Sequence, residues 1–199
     1  MVDNDHRTDE ALMLAYARGD AAAFTPLYTR HSPRIWRYFY RHTGNAALAD
    51  DLAQETWFAV VDAAPRYQPR AKFSTWAFTL AHHKLVDHWR SHKTHTSLDA
   101  ETLEGMQLAE TLFAHSGFNP EQLLGRKDLA RALLGALTEL PSEQREAFLL
   151  QAEGDLSVAD IASATGVTAE TAKSRLRYAR SKLRQALGAD NTEAQQVPA

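Results

Sequence analysis

The chain has 199 residues, of which 44% are hydrophobic and 24% charged, an ordinary balance for a protein that buries a core. It contains no cysteine, which excludes disulfide scaffolds and thiolate metal sites, and no apolar run near the ~20 residues needed to cross a bilayer. A net charge of −3 is unsuited to coating DNA unaided, and the first residues lack the apolar stretch of a signal peptide, so a cytoplasmic protein without membrane insertion is expected.

Strand signals are nearly missing, because no Asn-Gly or Asp-Gly pair and no sustained β-branched alternation occurs. Helix signals follow one another along the chain. Asp9 is expected to cap a helix running to Arg18 and stopping at Gly19. Residues 22–28 and 33–42 read as two further stretches, the second opened by Pro33. Gly44 and Asn45 break the chain before a helix over 47–64, which Pro65 ends. A basic loop over 67–72 leads into a helix over 74–92. Residues 94–119 are acidic and aperiodic, which predicts a linker. Beyond it Pro141 opens a helix that Gly154 closes, Ser157 and Asp160 form a capping box, and Gly188 stops the last helix before a frayed tail. The expected class is all-α, with helical domains over 9–93 and 126–187, an extended acidic linker over 94–125 and a tail over 188–199.

Charge is segregated by sign. Arg66, Arg70, Lys72, Lys84, Arg90 and Lys93 face a single acid, Asp87, between positions 66 and 93. Over 138–170 seven acids face Arg145 alone, and over 171–187 six bases face none. Two basic segments set apart by acidic ones suggest two contacts with a polyanion; solvated helix faces are the plainer alternative.

The second basic segment carries the stronger pattern. A short helix from Ser157, a turn at Gly166 and a cap at Thr168 introduce a helix whose Ala172, Leu176, Ala179 and Leu183 form one apolar stripe. Ile161 and Val167 supply its partner surface. The other face offers Glu170, Lys173, Ser174, Arg177, Tyr178 and Ser181, as a helix entering a DNA groove requires. Whether Lys173 and Arg177 meet base edges or phosphates is open at this stage.

In the first domain Asp51, Gln54 and Glu55 share a helix face with no lysine nearby in sequence, which suits a basic partner. Between 66 and 93 bases alternate with Tyr67, Phe73, Trp76, Phe78 and Trp89, a composition suited to unpaired bases. Phe73, Trp76 and Leu80 are spaced as core residues, so Tyr67 in the loop is the expected stacking residue.

These residues together resemble the extracytoplasmic-function (ECF) group of bacterial sigma factors. The resemblance rests on Asp50-Asp51-Leu52-Ala53-Gln54-Glu55-Thr56-Trp57, Phe73-Ser74-Thr75-Trp76 and Leu80-Ala81-His82-His83 with Asp87 and Arg90. In the second domain it rests on Leu140-Pro141-Ser142-Glu143-Gln144-Arg145 and on the run from Thr171 to Arg180. It implies a dissociable promoter-specificity subunit of RNA polymerase. Asp51, Gln54 and Glu55 would meet the polymerase clamp helices. Tyr67, Arg70, Lys72, His83 and Arg90 would hold melted promoter DNA, and Thr171, Lys173, Ser174, Arg177 and Tyr178 would read the upstream element as duplex. The family usually has Asn where this chain has His83, which puts its base preference in question. ECF factors are commonly held by an anti-sigma factor.

Two rival readings remain at this point. A stand-alone helix-turn-helix regulator would bind its operator without polymerase. A metal protein would use the cluster His82, His83, His88, His92 and His95, where His88 and His92 share a helix face. No metal site is expected, since cysteines and a zinc-protease motif are absent. No catalytic triad, phosphate-cradling loop or carboxylate pair is found, so no enzymatic activity, cofactor or small-molecule substrate is expected.

Overall fold

A computed structural model describes residues 6–92 and 132–193, with the backbone alone at residues 92 and 187–193. The expected linker over 94–125 lies outside these residues, as do Lys93 and His95. Among the described residues every regular element is helical: α1 (Asp9–Ala17), α2 (Phe24–Thr43), α3 (Ala46–Ala63), α4 (Phe73–His92), α5 (132–138), α6 (Ser142–Gly154), α7 (Val158–Thr165) and α8 (Ala169–Glu193), with single 3-10 turns at Ala21–Ala23 and Ala64–Arg66.

In the first unit α2 packs on α3 and α3 on α4, with α1 across their end. Leu12, Met13, Leu27, Ile35, Tyr38, Phe39, Val60, Phe73 and Phe78 are fully buried there. Two sequence expectations are corrected here. Thr8, not Asp9, caps α1, its hydroxyl accepting from the Ala11 amide at 3.2 Å. Asp9 is drawn away by partners distant in sequence, Arg30 Nη1 and His31 Nε2, each at 2.7 Å. The His31 contact, against the opposing effect of burial, holds the Asp9 carboxyl below its ordinary range. Residues 24–43 form one helix through Pro33. Pro33 and Thr29, whose carbonyl loses its partner, both lie on the exposed side, while Leu27, Ile35, Tyr38 and Phe39 anchor the inner side on both sides of the proline. The start of α4 is capped from outside, Glu10 accepting from the Phe73 amide at 2.7 Å.

In the second unit α6, α7 and α8 pack together. Ser157 and Asp160 form the expected capping box, and Gly166 turns the chain at φ 67°. Pro141 stands at the cap of α6, one residue before its first turn, and Asp155 ends that helix in the left-handed region at φ 57°. The last helix does not stop at Gly188 but runs to Glu193. A glycine inside a helix costs only about 1 kcal/mol, so it need not end one.

The two units share one continuous core, because α6 lies against both α2 and α4. At the centre of this contact Glu146 is buried, accepting from Tyr38 Oη at 2.7 Å and His82 Nδ1 at 2.8 Å, with His42 Nε2 at 3.0 Å off hydrogen-bond alignment. Burial alone would raise the Glu146 carboxyl; the two imidazoles overcome it and hold the group at about 2. Burial and the neighbouring carboxylate push the Tyr38 phenol well above its ordinary value.

Candidate functional site

Three faces carry the residues singled out from the sequence. The first lies between α2 and α3. Asn45 caps α3 by accepting from the Leu48 amide at 3.0 Å, and this phasing turns Leu52, Thr56, Trp57 and Val60 inward. Asp51, Gln54 and Glu55 are thereby exposed together. Facing them, α2 contributes Tyr28, Ser32 and Trp36, so that a groove forms whose walls are acidic and aromatic. Trp36 Nε1 donates to Asp50 Oδ1 at 2.6 Å, and Tyr28 and Phe58 remain 47% and 60% exposed on the rim. Sequence reasoning missed this aromatic rim. The signal was available, since Tyr28, Ser32 and Trp36 are four apart on α2 and Phe58 follows Gln54 by four on α3. It also missed a base: Lys84 Nζ of α4 lies 3.4 Å from Glu55 Oε2, so the acidic face has a lysine beside it in space.

The second face joins the 67–72 loop to α4. Tyr67 is not available for stacking as expected. It is 8% exposed, its ring meeting Trp76 edge-on at 4.9 Å and Phe73 at 6.5 Å, and burial pushes its hydroxyl up to about 12. Trp76 is half-buried, and the groove here is lined by Arg66, Gln68, Arg70, Thr75, Trp76 and Thr79 above a Tyr67 wall. Arg70 Nε is held by Gln68 Oε1 at 3.0 Å. His83 and Arg90 are exposed on α4, four and eleven residues after Thr79 and so on its helical face. Lys72 stands apart, its Nζ reaching Asp155 of the second unit at 2.9 Å, a contact that raises its pKa.

The third face is α8. Ala172, Leu176, Ala179 and Leu183 are buried as the stripe requires. Thr168 caps the helix, accepting from the Thr171 amide at 3.2 Å, and the two hydroxyls meet at 2.9 Å. Thr171 is thus part of the cap. Lys173, Arg177 and Tyr178 are exposed and Ser174 half-buried. The Arg177 guanidinium lies 5.1 Å from the Tyr178 ring centre, which aligns the two side chains as one unit. Arg180 is tied to Gln151 of α6 at 2.5 Å.

Comparison with known proteins gives the family. The sequence profile of sigma-70 region 2 matches residues 27–95, and that of sigma-70 region 4 matches residues 130–183. The RNA polymerase sigma factor CarQ of Myxococcus xanthus is 31% identical over 176 residues, covering 88% of this chain and 95% of its own. The ECF RNA polymerase sigma factor SigC of Mycobacterium tuberculosis is 30% identical over 187 residues, covering 90% and 91%. This chain belongs to the extracytoplasmic-function sigma factors. It is an alternative sigma factor for transcription initiation. The fold is that of CnrH in its complex with the cytosolic domain of CnrY, with a TM-score of 0.62 at 23% identity over 92% of this chain and 98% of that one. It is also that of RpoE bound to the anti-sigma factor NepR from Bartonella quintana, with a TM-score of 0.64 at 20% identity over 84% and 98%.

In this sigma factor the groove between α2 and α3 and the α4 face fall within the region 2 match, and α8 starts within the region 4 match. Among the described residues no helix is long and apolar enough to cross a membrane, and no group of three or more metal-ligating side chains converges.

Proposed function

We propose that this sigma factor divides its work among the three faces. The α2–α3 groove, through Asp51, Gln54 and Glu55 and the aromatic rim, takes the clamp helices of core RNA polymerase. The loop and α4 face, through Arg70, Lys72, His83 and Arg90, holds the opened promoter strand, and Trp76 replaces Tyr67 as the ring on offer. The α8 face, through Lys173, Ser174, Arg177 and Tyr178, reads the upstream element as duplex. The protein works in the cytoplasm without catalysis of its own, and an inhibitory anti-sigma factor is a further expected partner.

The observation that carries this reading is the separation of charge: one acidic, aromatic groove and one basic recognition helix on opposite family regions of a net-acidic chain. Phosphate neutralisation dominates DNA affinity, so a net-acidic chain binds weakly until another protein holds it in place. Extruding a base costs a few kcal/mol, which a surface that receives the base recovers. Run-off transcription with core polymerase on a genomic library is expected to start at a discrete set of promoters. Transcription no different from core alone would overturn the assignment.

Two substitutions separate the DNA faces. Arg177→Ala is expected to weaken upstream-element recognition by about 1–3 kcal/mol where the guanidinium meets a base edge. Binding titrations on altered elements check this, and a loss uniform across sequences marks a phosphate contact instead. His83→Asn is expected to change the preferred melted base in a promoter-selection experiment, because imidazole and amide present different donors and acceptors. Unchanged selectivity would place His83 outside the base-receiving surface.

A further inference from the structure

Beside the apolar core that the two units share, their contact carries a band of charge. Arg30, Arg34, Arg37 and Arg41 follow spacings of four, three and four residues, a single stripe along α2. Arg30 pairs with Asp9 inside its own unit. The rest of the stripe meets carboxylates from the end of α6. Glu153, 4% exposed, accepts from Arg37 Nε at 3.1 Å and Nη2 at 3.0 Å and also pairs with Arg41. Asp155 pairs with Lys72 and lies near enough to Arg34 for the arginine to help lower its carboxyl. A cleft of about 430 Å³, lined by Arg30, Arg34, Lys72 and Asp155 among others, opens beside these pairs.

Glu153 is buried while Lys72 and Asp155 are exposed, and neither kind of pair is an efficient way to hold two units permanently: apolar residues of similar volume replace a buried pair as well or better, and an exposed pair contributes little. Guanidinium forks, however, donate to phosphate oxygens with the same two-pronged geometry as to carboxylates. From Arg34 to Arg41 the stripe rises about 10 Å, the rise of about three nucleotides on one strand. It adjoins the loop carrying Arg70 and Lys72.

We propose that Glu153 and Asp155 stand in for DNA phosphates, covering in the free chain a backbone-binding surface made of Arg34, Arg37, Arg41 and Lys72 that is released when the second unit moves away. The proposal rests on the nucleic-acid reading above only for the identity of the polyanion. Its test uses neither polymerase nor promoter, so its failure leaves polymerase association and run-off transcription untouched.

The test is fluorescence anisotropy of the full chain with a labelled random-sequence DNA duplex across a salt series, with small-angle scattering on the same samples. Glu153→Gln/Asp155→Asn is expected to enlarge the radius of gyration and steepen the fall of log K with log salt by about two to three, at about 0.9 for each phosphate neutralised. Adding Arg37→Ala/Arg41→Ala is expected to remove most of that gain. Gly154→Ala offers an opening that keeps every charge, because a Cβ there meets Leu156 Cδ1 at 2.5 Å and Phe78 Cγ at 2.9 Å; it is expected to steepen the slope likewise. An unchanged radius overturns the latch. An unchanged slope in the opened chain, or a gain that survives loss of Arg37 and Arg41, overturns the DNA surface.

Discussion

Glu146→Ala is expected to destabilise the protein by about 3–5 kcal/mol, because it strips a buried network of its only acid and leaves its buried polar partners without their acceptor. The side chain is the common acceptor of Tyr38 and His82 and lies 3.0 Å from His42 Nε2, all drawn from the other unit. Denaturant unfolding at neutral pH of the wild type and variant measures the loss; a difference under about 1 kcal/mol, the scale of an exposed pair, would contradict the network. The same carboxyl gives a pH signature. Its folded-state value is held at about 2, below the ordinary 4.5. A depressed acid stabilises the fold above its unfolded value, so this contribution, roughly 3 kcal/mol, is present above about pH 4.5 and is lost as pH falls toward 2. Glu146→Gln is expected to flatten the stability profile in that window.

Asp51→Lys is expected to cut association with core polymerase at least a hundredfold while leaving the unfolding midpoint nearly unchanged. The residue is exposed in the middle of the α2–α3 groove, so its replacement disturbs no core. Opposing like charges across an interface costs several kcal/mol, and 2.7 kcal/mol corresponds to about a hundredfold. Glu55→Lys is a less clean probe, since it also breaks the pair with Lys84. Phe58→Ala tests the aromatic rim without touching charge and is expected to weaken the same association. A pull-down in which Asp51→Lys retains core as well as the wild type would remove the groove from the account.

What could be read from the sequence was local. The Ala172–Leu183 stripe and the Ser157–Asp160 box depend on residues within a few turns of one another, and both stand as expected. Most of the errors arise where a partner outside the local segment decides. Asp9 is the better cap by type, yet Arg30 and His31 hold it elsewhere. Pro33 reads as a helix start, yet apolar contacts on both sides of it carry α2 through. Tyr67 lies in a loop, which says nothing of the Trp76 and Phe73 rings that cover it. Glu146 and Glu153 read as part of an acidic surface run, yet both are buried against residues 64 to 116 positions away. Charge sign was legible; which charges meet was not.

The most direct measurement of the central claim compares promoter binding by the purified chain with and without core RNA polymerase, in one gel-shift titration at fixed salt. The account predicts a stable, sequence-specific complex only when core is present, and little discrimination between promoter and random DNA by the chain alone. A specific complex of equal strength without core, as a stand-alone helix-turn-helix regulator would form, would contradict it.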